Sequence, residues 1–481
     1  MIPLIGTLII GILIYTLIRL DRNERLSYAI WVPWAWLMIA SSRPISAWLT
    51  FSAPVYAGDQ YIDGSPLDRN ILTLLLIMGL IALSRRTRQV RAILAANPAI
   101  IIFFVYCLIS LLWSEYPFVV FKRWIRSVAD IVVIILIITE PNTVNALTWV
   151  LKRVGYIMIP LSILFIRFYP SLGRAYSRGG VQEWTGVGTD KNALGMICML
   201  FGVTLLWRGI SVYREPPTDK RKRELVAISI VFAMILYLIS VVNSQTALAC
   251  FVMADLLIIV TYIGPAFRRP AFVSCLVGAM LAVSFCVLFL GIGGGALSTL
   301  GRDSSLTGRT VVWQTILPYA KNPWLGAGYE NFWIGDRMRL FDRLLGGLNQ
   351  AHNGYIEIYL NLGWIGIVLL GVIIVSGYRN ILKGLHSSPE PNRLKLAFFL
   401  ICLVYNFTEA TFKMNCLVWI TFLWAVMAIP EHRLGLQEST LEFNGRQQHR
   451  VDSNRELSRW RPKLQKDQAL LTPKSNSAFT L

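Results

Sequence analysis

Two residue types in this chain are suited to chemistry on an oxygen bonded to a phosphate. The first is histidine. Of four in the sequence, His386, His432 and His449 sit in polar, basic stretches, while His352 stands in "NQAHNGY", just ahead of a long apolar run. An imidazole with an ordinary pKa near 6.5 can take a proton from a hydroxyl at neutral pH. The second is arginine. Arg309 lies in "LTGRTVVW", Arg174 and Arg178 in "SLGRAYSRGG", and Arg123 and Arg126 in "FKRWIRSVAD". A guanidinium is always charged and offers a planar fork that matches phosphate oxygens in pairs. Together they form a set for holding a polyanion such as a diphosphate next to an activated hydroxyl. Other bases share these segments, namely Lys122, Arg167, Lys191, Arg302, Lys321, Arg337, Arg339 and Arg343. The competing reading is that all of these bases snorkel to lipid headgroups or pair with Glu115, Asp130, Glu183, Asp190 or Asp336; Arg126 and Asp130 are spaced i, i+4 for a local pair.

The elements that must position these residues are apolar. The 481-residue chain is 55% hydrophobic and 15% charged, with a mean hydropathy of +0.55. Crossing about 30 Å of hydrocarbon takes roughly 20 apolar residues. Apolar runs centre near residues 10, 34, 77, 105, 131, 161, 199, 234, 254, 282, 369, 402 and 422. The pattern predicts an all-α, polytopic membrane protein with about 12 to 13 transmembrane helices. The runs do not alternate with period two, which excludes a β-barrel. The N-terminal "MIPLIGTLIIGILIYTLIRL" lacks a basic leader and a small-residue cleavage site and reads as a retained first span.

Charge then sets orientation. The net charge of +19 is explained by basic cytoplasmic loops, such as "SRRTRQVR" and "REPPTDKRKRE", rather than by nucleic-acid binding. On that count 42–69, 113–117, 167–190, 243–246, 293–352 and 408–415 all lie on the opposite, periplasmic or exterior face. Residues 1–430 form the membrane domain, 293–352 its large helix-bearing loop, and 431–481 a polar, disordered cytoplasmic tail. The seven cysteines lie in or beside apolar runs with no metal-ligand spacing, and no HExxH, DxD or Walker pattern occurs, so no metal and no cofactor is expected. A donor used here must carry its own activation, which a diphosphate leaving group provides. If His352 is not the base, Glu357 and Glu330 are the next candidates. The stretch "NPWLGAGYENFW" supplies a tight turn and an aromatic surface suited to packing against sugar rings.

The ordered motifs "LTGRTVVW", "NPWLGAGYENFW" and "AHNGYIEIYLNLGWIGIVLL", with "WSEYP", "GTDKNALG" and "NSQTALA" upstream, closely resemble the signature of the O-antigen ligase and polysaccharide polymerase family of bacterial envelopes. Residues 21–49 resemble the exopolysaccharide polymerases within it. The resemblance covers roughly residues 20–430. It implies a multi-pass inner-membrane enzyme of GT-C-like, all-helical architecture. Such an enzyme takes glycan from an undecaprenyl diphosphate-linked donor on the periplasmic side, without metal, nucleotide sugar or other cofactor. Its acceptor is either another lipid-linked repeat, as in a polymerase, or lipid A–core, as in a ligase; the 21–49 segment favours the polymerase. Membrane lipids and a chain-length regulator protein are the further partners it implies. Carried over by position, Arg309 binds the donor diphosphate and His352 orients or deprotonates the acceptor hydroxyl. Arg178 or Arg174 is the upstream phosphate ligand, and Arg126 or Arg123 a fourth. A single displacement from the face opposite the diphosphate makes the transfer inverting. The alternative reading is a transporter or flippase of a lipid-linked or anionic substrate, which would place charge in mid-span; Asp255 is the main mid-span acid.

Overall fold

The computed structural model describes residues 2–21, 26–50, 65–176, 180–289, 306–346 and 349–430. Every apolar centre named above falls inside a helix. The strands Arg174–Tyr176 and Gln182–Trp184 pair antiparallel as a short hairpin. The protein is an all-α polytopic membrane protein. Residues Met1–Ala428 form one compact unit. The expected tail, 431–481, lies outside the described residues, as do Arg178 and Arg302.

Among the described residues, eight helices are long and apolar enough to cross a membrane, or nine if a bent pair counts as one. The other expected spans are helices of a different kind. Pro117–Ile138 is long but carries Lys122, Arg123, Arg126 and Asp130. Pro389–Tyr405 has 17 residues and Leu417–Val426 only 10. Thr87–Ala96 and Pro98–Leu112 meet at 90°, where Asn97 exchanges two hydrogen bonds with the backbone of Ala428. The expected 12 to 13 spans are therefore present as helices but not all as full-length spans. A helix buried among others can be short or charged, because its neighbours and not lipid satisfy it.

Thr143–Phe168 and Lys191–Tyr213 form the centre, with 72% and 67% of their apolar windows buried. Ile2–Leu20, Pro66–Ser84 and Pro270–Phe289 are only 17% buried and present their apolar faces outward. Helix starts follow the sequence. Asn142, Asp190, Thr218 and Asn353 each accept a first-turn N–H, and proline opens Pro66–Ser84, Pro98–Ile109, Pro117–Ile138 and Pro389–Tyr405.

Contacts sort the connecting segments into two ends. At one end lie the basic segments. There Lys152 Nζ bridges Asp21 (2.5 Å) and Glu224 (2.8 Å), Arg208 joins Glu224 at 2.8 Å, and Arg86 joins Glu140 at 2.9 Å. At the other end, Arg43 Nε donates to Gly188 O at 2.9 Å, tying the turn after Trp31–Ala40 to the hairpin loop. Thr408 and Thr246 hydroxyls meet at 3.0 Å, and Trp113 Nε1 reaches Leu325 O at 3.2 Å. The segments grouped by charge counting as lying on one face thus meet in pairs.

The segment 306–353 folds over this second end on its own small core of Val312, Ile316, Phe332, Trp333 and Phe341, packed against Leu360. Its base rests on a break in the Gly354–Ser387 helix at Gly363, where φ is 64° and ψ −165°. A Cβ there would stand 2.2 Å from the Trp324 carbonyl carbon, so only glycine lets the "NPWLG" turn lie against the helix.

Candidate active site

His352 is placed by three devices. Asn353 caps the helix that follows, accepting from Tyr355 N and Ile356 N at 3.0 Å. Its amide also donates to Phe407 O at 3.1 Å. Gly354 N donates to Asn406 O at 2.9 Å, the two backbones meeting where no Cβ fits. Glu357 holds the other side, accepting from Ala351 N at 3.0 Å and from Trp333 Nε1 at 2.6 Å. The result is a left-handed backbone at His352, φ 48°, a conformation that a non-glycine residue adopts only when its surroundings over-determine it.

The imidazole then meets a residue that no sequence spacing advertises. His352 Nδ1 lies 3.4 Å from Glu409 Oε2. Arg309 Nη2 donates to Glu409 Oε1 at 3.2 Å, and Asn192 Nδ2 donates to the same oxygen at 3.1 Å. One carboxylate therefore joins the histidine and the arginine singled out from sequence. Glu409 is nearly buried, at 8% exposure, while the His352 and Arg309 side chains keep 23% and 24%. A carboxylate can only accept, so a hydrogen bond between Nδ1 and Glu409 requires the proton on Nδ1 and leaves Nε2 as the acceptor.

The upstream arginines divide. Arg123 Nη1 donates to Glu330 O on the large loop. Burial raises the Glu330 carboxyl above its usual range, opposed by the charges of Arg123 and Lys413. Lys413 Nζ donates to Gln350 Oε1 at 3.4 Å, and Gln350 Nε2 lies 3.5 Å from His352 Nδ1. Charge interactions and hydrogen bonds thus lead from Arg123 through Glu330 and Lys413 to Gln350, whose 3.5 Å approach to Nδ1 is a packing contact when that nitrogen donates to Glu409. Arg126 follows one turn later and is half-buried. It makes no direct salt bridge with Asp130, contrary to the i, i+4 expectation, although the two charges still attract each other. Asp130 instead accepts from Trp36 Nε1 and Asn415 N, both at 2.9 Å, which pins the arginine-bearing helix to the segment holding Glu409. Arg174 lies over the Trp184 ring at 4.7 Å and donates to Ile166 O at 3.0 Å. It holds the hairpin, and no contact among the described residues joins it to Arg309 or His352.

Two further expectations change. The aromatics of "NPWLGAGYENFW" do not together form a sugar-facing surface. Tyr329, Phe332 and Trp333 are buried, and Trp324 alone is broadly exposed, at 66%. Glu357, held as a substitute base, is occupied by Trp333, Ala351 and Asn361. Of the remaining bases, Lys321 and Arg337 pair with Glu115, and Lys191 pairs with Glu183 at 2.8 Å. The ion-pair reading of the scattered charges holds for these.

Comparison with known proteins agrees with the resemblance read from the motifs. The family model for O-Antigen ligase matches residues 228–371, a stretch that contains Arg309 and His352 but not Glu409. The chain is also 27% identical over 300 residues to the exopolysaccharide production protein ExoQ of Rhizobium meliloti (strain 1021). That similarity covers 59% of this chain and 65% of the relative.

Proposed function

We propose that this protein is a membrane glycosyltransferase that moves glycan from an undecaprenyl diphosphate-linked donor to an acceptor hydroxyl, as an exopolysaccharide or O-antigen polymerase or an O-antigen ligase. The observation that carries the reading is Glu409 holding Arg309 and His352 on one carboxylate. The end bearing this site faces the periplasm, because the basic segments gather at the other. The ExoQ similarity favours the polymerase, whose acceptor is a second lipid-linked repeat.

In this reading Arg309 binds the donor diphosphate, and Arg123 and Arg126 supply positive charge across the mouth. Of the two upstream arginines the motifs offer as a further phosphate ligand, the Arg174 side chain is committed to Trp184 and Ile166, which leaves the role to Arg178. The acceptor hydroxyl gives its proton to His352 Nε2 as its oxygen bonds to the anomeric carbon. The bond from that carbon to the diphosphate breaks, and the electron pair leaves with the diphosphate, whose growing charge the arginines stabilise. One displacement inverts the anomeric centre. Glu409 fixes the His352 tautomer and stabilises the imidazolium, the part an acid plays behind a catalytic histidine. No step calls for a metal.

The test is transfer by purified protein in nanodiscs with a lipid-linked oligosaccharide donor. Wild type is expected to lengthen or transfer the glycan with inversion and in excess EDTA. Retention of anomeric configuration, or loss in EDTA restored by a divalent ion, contradicts the scheme.

A further inference from the structure

We infer that an open cleft of about 670 Å³ between the "WSEYP" turn and the large loop is a second carbohydrate subsite, gripping the glycan away from the bond being made. The inference rests on the function proposed above. Three separate segments build the cleft: Glu115 and Tyr116 before the Pro117–Ile138 helix, Tyr319 and Lys321 after Leu306–Ile316, and Asp336 and Arg337 opening Asp336–Leu345.

The lining decides the ligand class. Glu115 carries both cations, with Lys321 on Oε1 and Arg337 Nη2 on Oε2 at 2.9 Å. Asp336 is almost fully exposed, with Arg339 3.8 Å from one oxygen. The two acids and two bases on the walls cancel, so the cleft does not select a phosphate. Nor does it suit a lipid tail, since charged groups and tyrosines line it. Fixed planar groups with hydrogen-bonding edges beside an aromatic face suit a hydroxyl-rich ligand. Arg337 is held from behind, Nε donating to Phe332 O at 2.9 Å and Nη2 to Asn331 O at 3.3 Å. Tyr319 stands edge-on against buried Phe341 at 5.3 Å and remains 41% exposed, which presents a pre-oriented ring. The volume lies within the range of about 300–1,000 Å³ usual for ligand sites.

The cleft is also coupled to the histidine. Arg337 grips the Phe332 carbonyl, Trp333 Nε1 donates to Glu357, and Glu357 accepts from Ala351 N beside His352. A glycan seated here is held on the same rigid loop that carries the proposed base, so its reacting end stays in register between transfers.

The test is calorimetric or NMR titration of the full-length protein in nanodiscs with oligosaccharides released by mild acid from the host's own polysaccharide. Tyr319→Ala is expected to weaken binding about tenfold, with Tyr319→Phe equal to wild type as the control for folding. Polymer made by Tyr319→Ala should be shorter, with single-bond transfer unchanged. Equal affinity in Tyr319→Ala and wild type overturns the subsite, as does binding lost in Arg309→Ala but untouched in Tyr319→Ala, which would place the sugar at the transfer site. Saturable, Tyr319-dependent binding by a protein without transferase activity would keep the subsite and refute the function.

Discussion

Replacing Glu409 by glutamine tests the proposed centre most directly. The change keeps the shape and removes one charge and one acceptor. Two donors, Arg309 Nη2 and Asn192 Nδ2, converge on Oε1 at 3.2 and 3.1 Å, so the glutamine carbonyl settles there. Its NH₂ group then faces His352 Nδ1 across the 3.4 Å now spanned by Oε2. A donor at that place forces the proton from Nδ1 to Nε2, and the imidazole can no longer accept the acceptor's proton. The loss should approach that of a general base, about 10²- to 10⁴-fold in kcat, or about 2.7–5.5 kcal/mol of barrier. Donor affinity should change little, because Arg309 remains and a competing carboxylate has gone. Single-turnover transfer in nanodiscs gives the rate, and titration with an unreactive lipid diphosphate gives the affinity. Near wild-type kcat in Glu409→Gln, in a protein that melts like wild type, would remove the tautomer argument. A collapse of donor affinity with kcat intact would move Glu409 into the phosphate site.

Other outcomes follow from the same geometry. His352→Ala should lower transfer by about 10²- to 10⁴-fold while leaving lipid diphosphate binding intact, measured in the same pair of assays. Arg309→Lys should lose most activity at normal membrane abundance, since lysine keeps the charge but not the fork; near wild-type polymer yield would remove Arg309 as the clamp. Gly354→Ala sets a Cβ 1.9 Å from Asn406 Oδ1, and Asn406 cannot yield because it also accepts from Thr411 N and donates to Cys402 O. A loss of about 1–3 kcal/mol is expected, read as a lowered Tm in detergent. Glu115 is held below the usual carboxylate range, first by its hydrogen bond to Lys321. A depressed folded-state pKa stabilises above the unfolded value and fades as pH falls through the folded one. Protection factors for amide exchange in 317–321 and 336–340, taken against the intrinsic rate at each pH, should therefore fall below about pH 4, and in Glu115→Gln they should be low at neutral pH as well.

The helices were legible because each apolar run is a physical necessity in a membrane chain, and the sorting of their connecting segments into two ends because basic residues are costly to translocate. Span length was not legible. "FFLICLVY" and "LVWITFLWAV" read like any membrane segment, yet Pro389–Tyr405 and Leu417–Val426 pack as short, buried helices. Burial among neighbours relieves a helix of the need to match the bilayer, and hydropathy cannot tell a lipid-facing leucine from one facing another helix. The aromatic-rich "GYENFW" misled for a related reason. A loop that must stand on its own core hides its tryptophan and phenylalanine, as Trp333 and Phe332 show.

The site divides along the same line. Arg309 and His352 were legible because both are chemically conspicuous and out of place: an arginine opposing the charge rule, and a histidine at a helix start. Glu409 was not. It sits in "TEATF", 100 residues from Arg309 and 57 from His352, and an acid in a short turn carries no signal of its own. The signal lay in imbalance. Folding gathers Arg123, Arg309 and Lys413 around His352 at one end of the bundle, and partly buried cations need an anion between them before any substrate arrives. The TEATFKMN turn (408–415) offered one acid, Glu409, beside Lys413. Counting charges by face, rather than by motif, would have pointed to it. By the same count, an incoming diphosphate competes with Glu409 for Arg309, whereas His352 keeps its carboxylate. The order of events at the site follows: the anion must bind before the arginine is released from Glu409, and only then is that carboxylate left to His352 and Asn192.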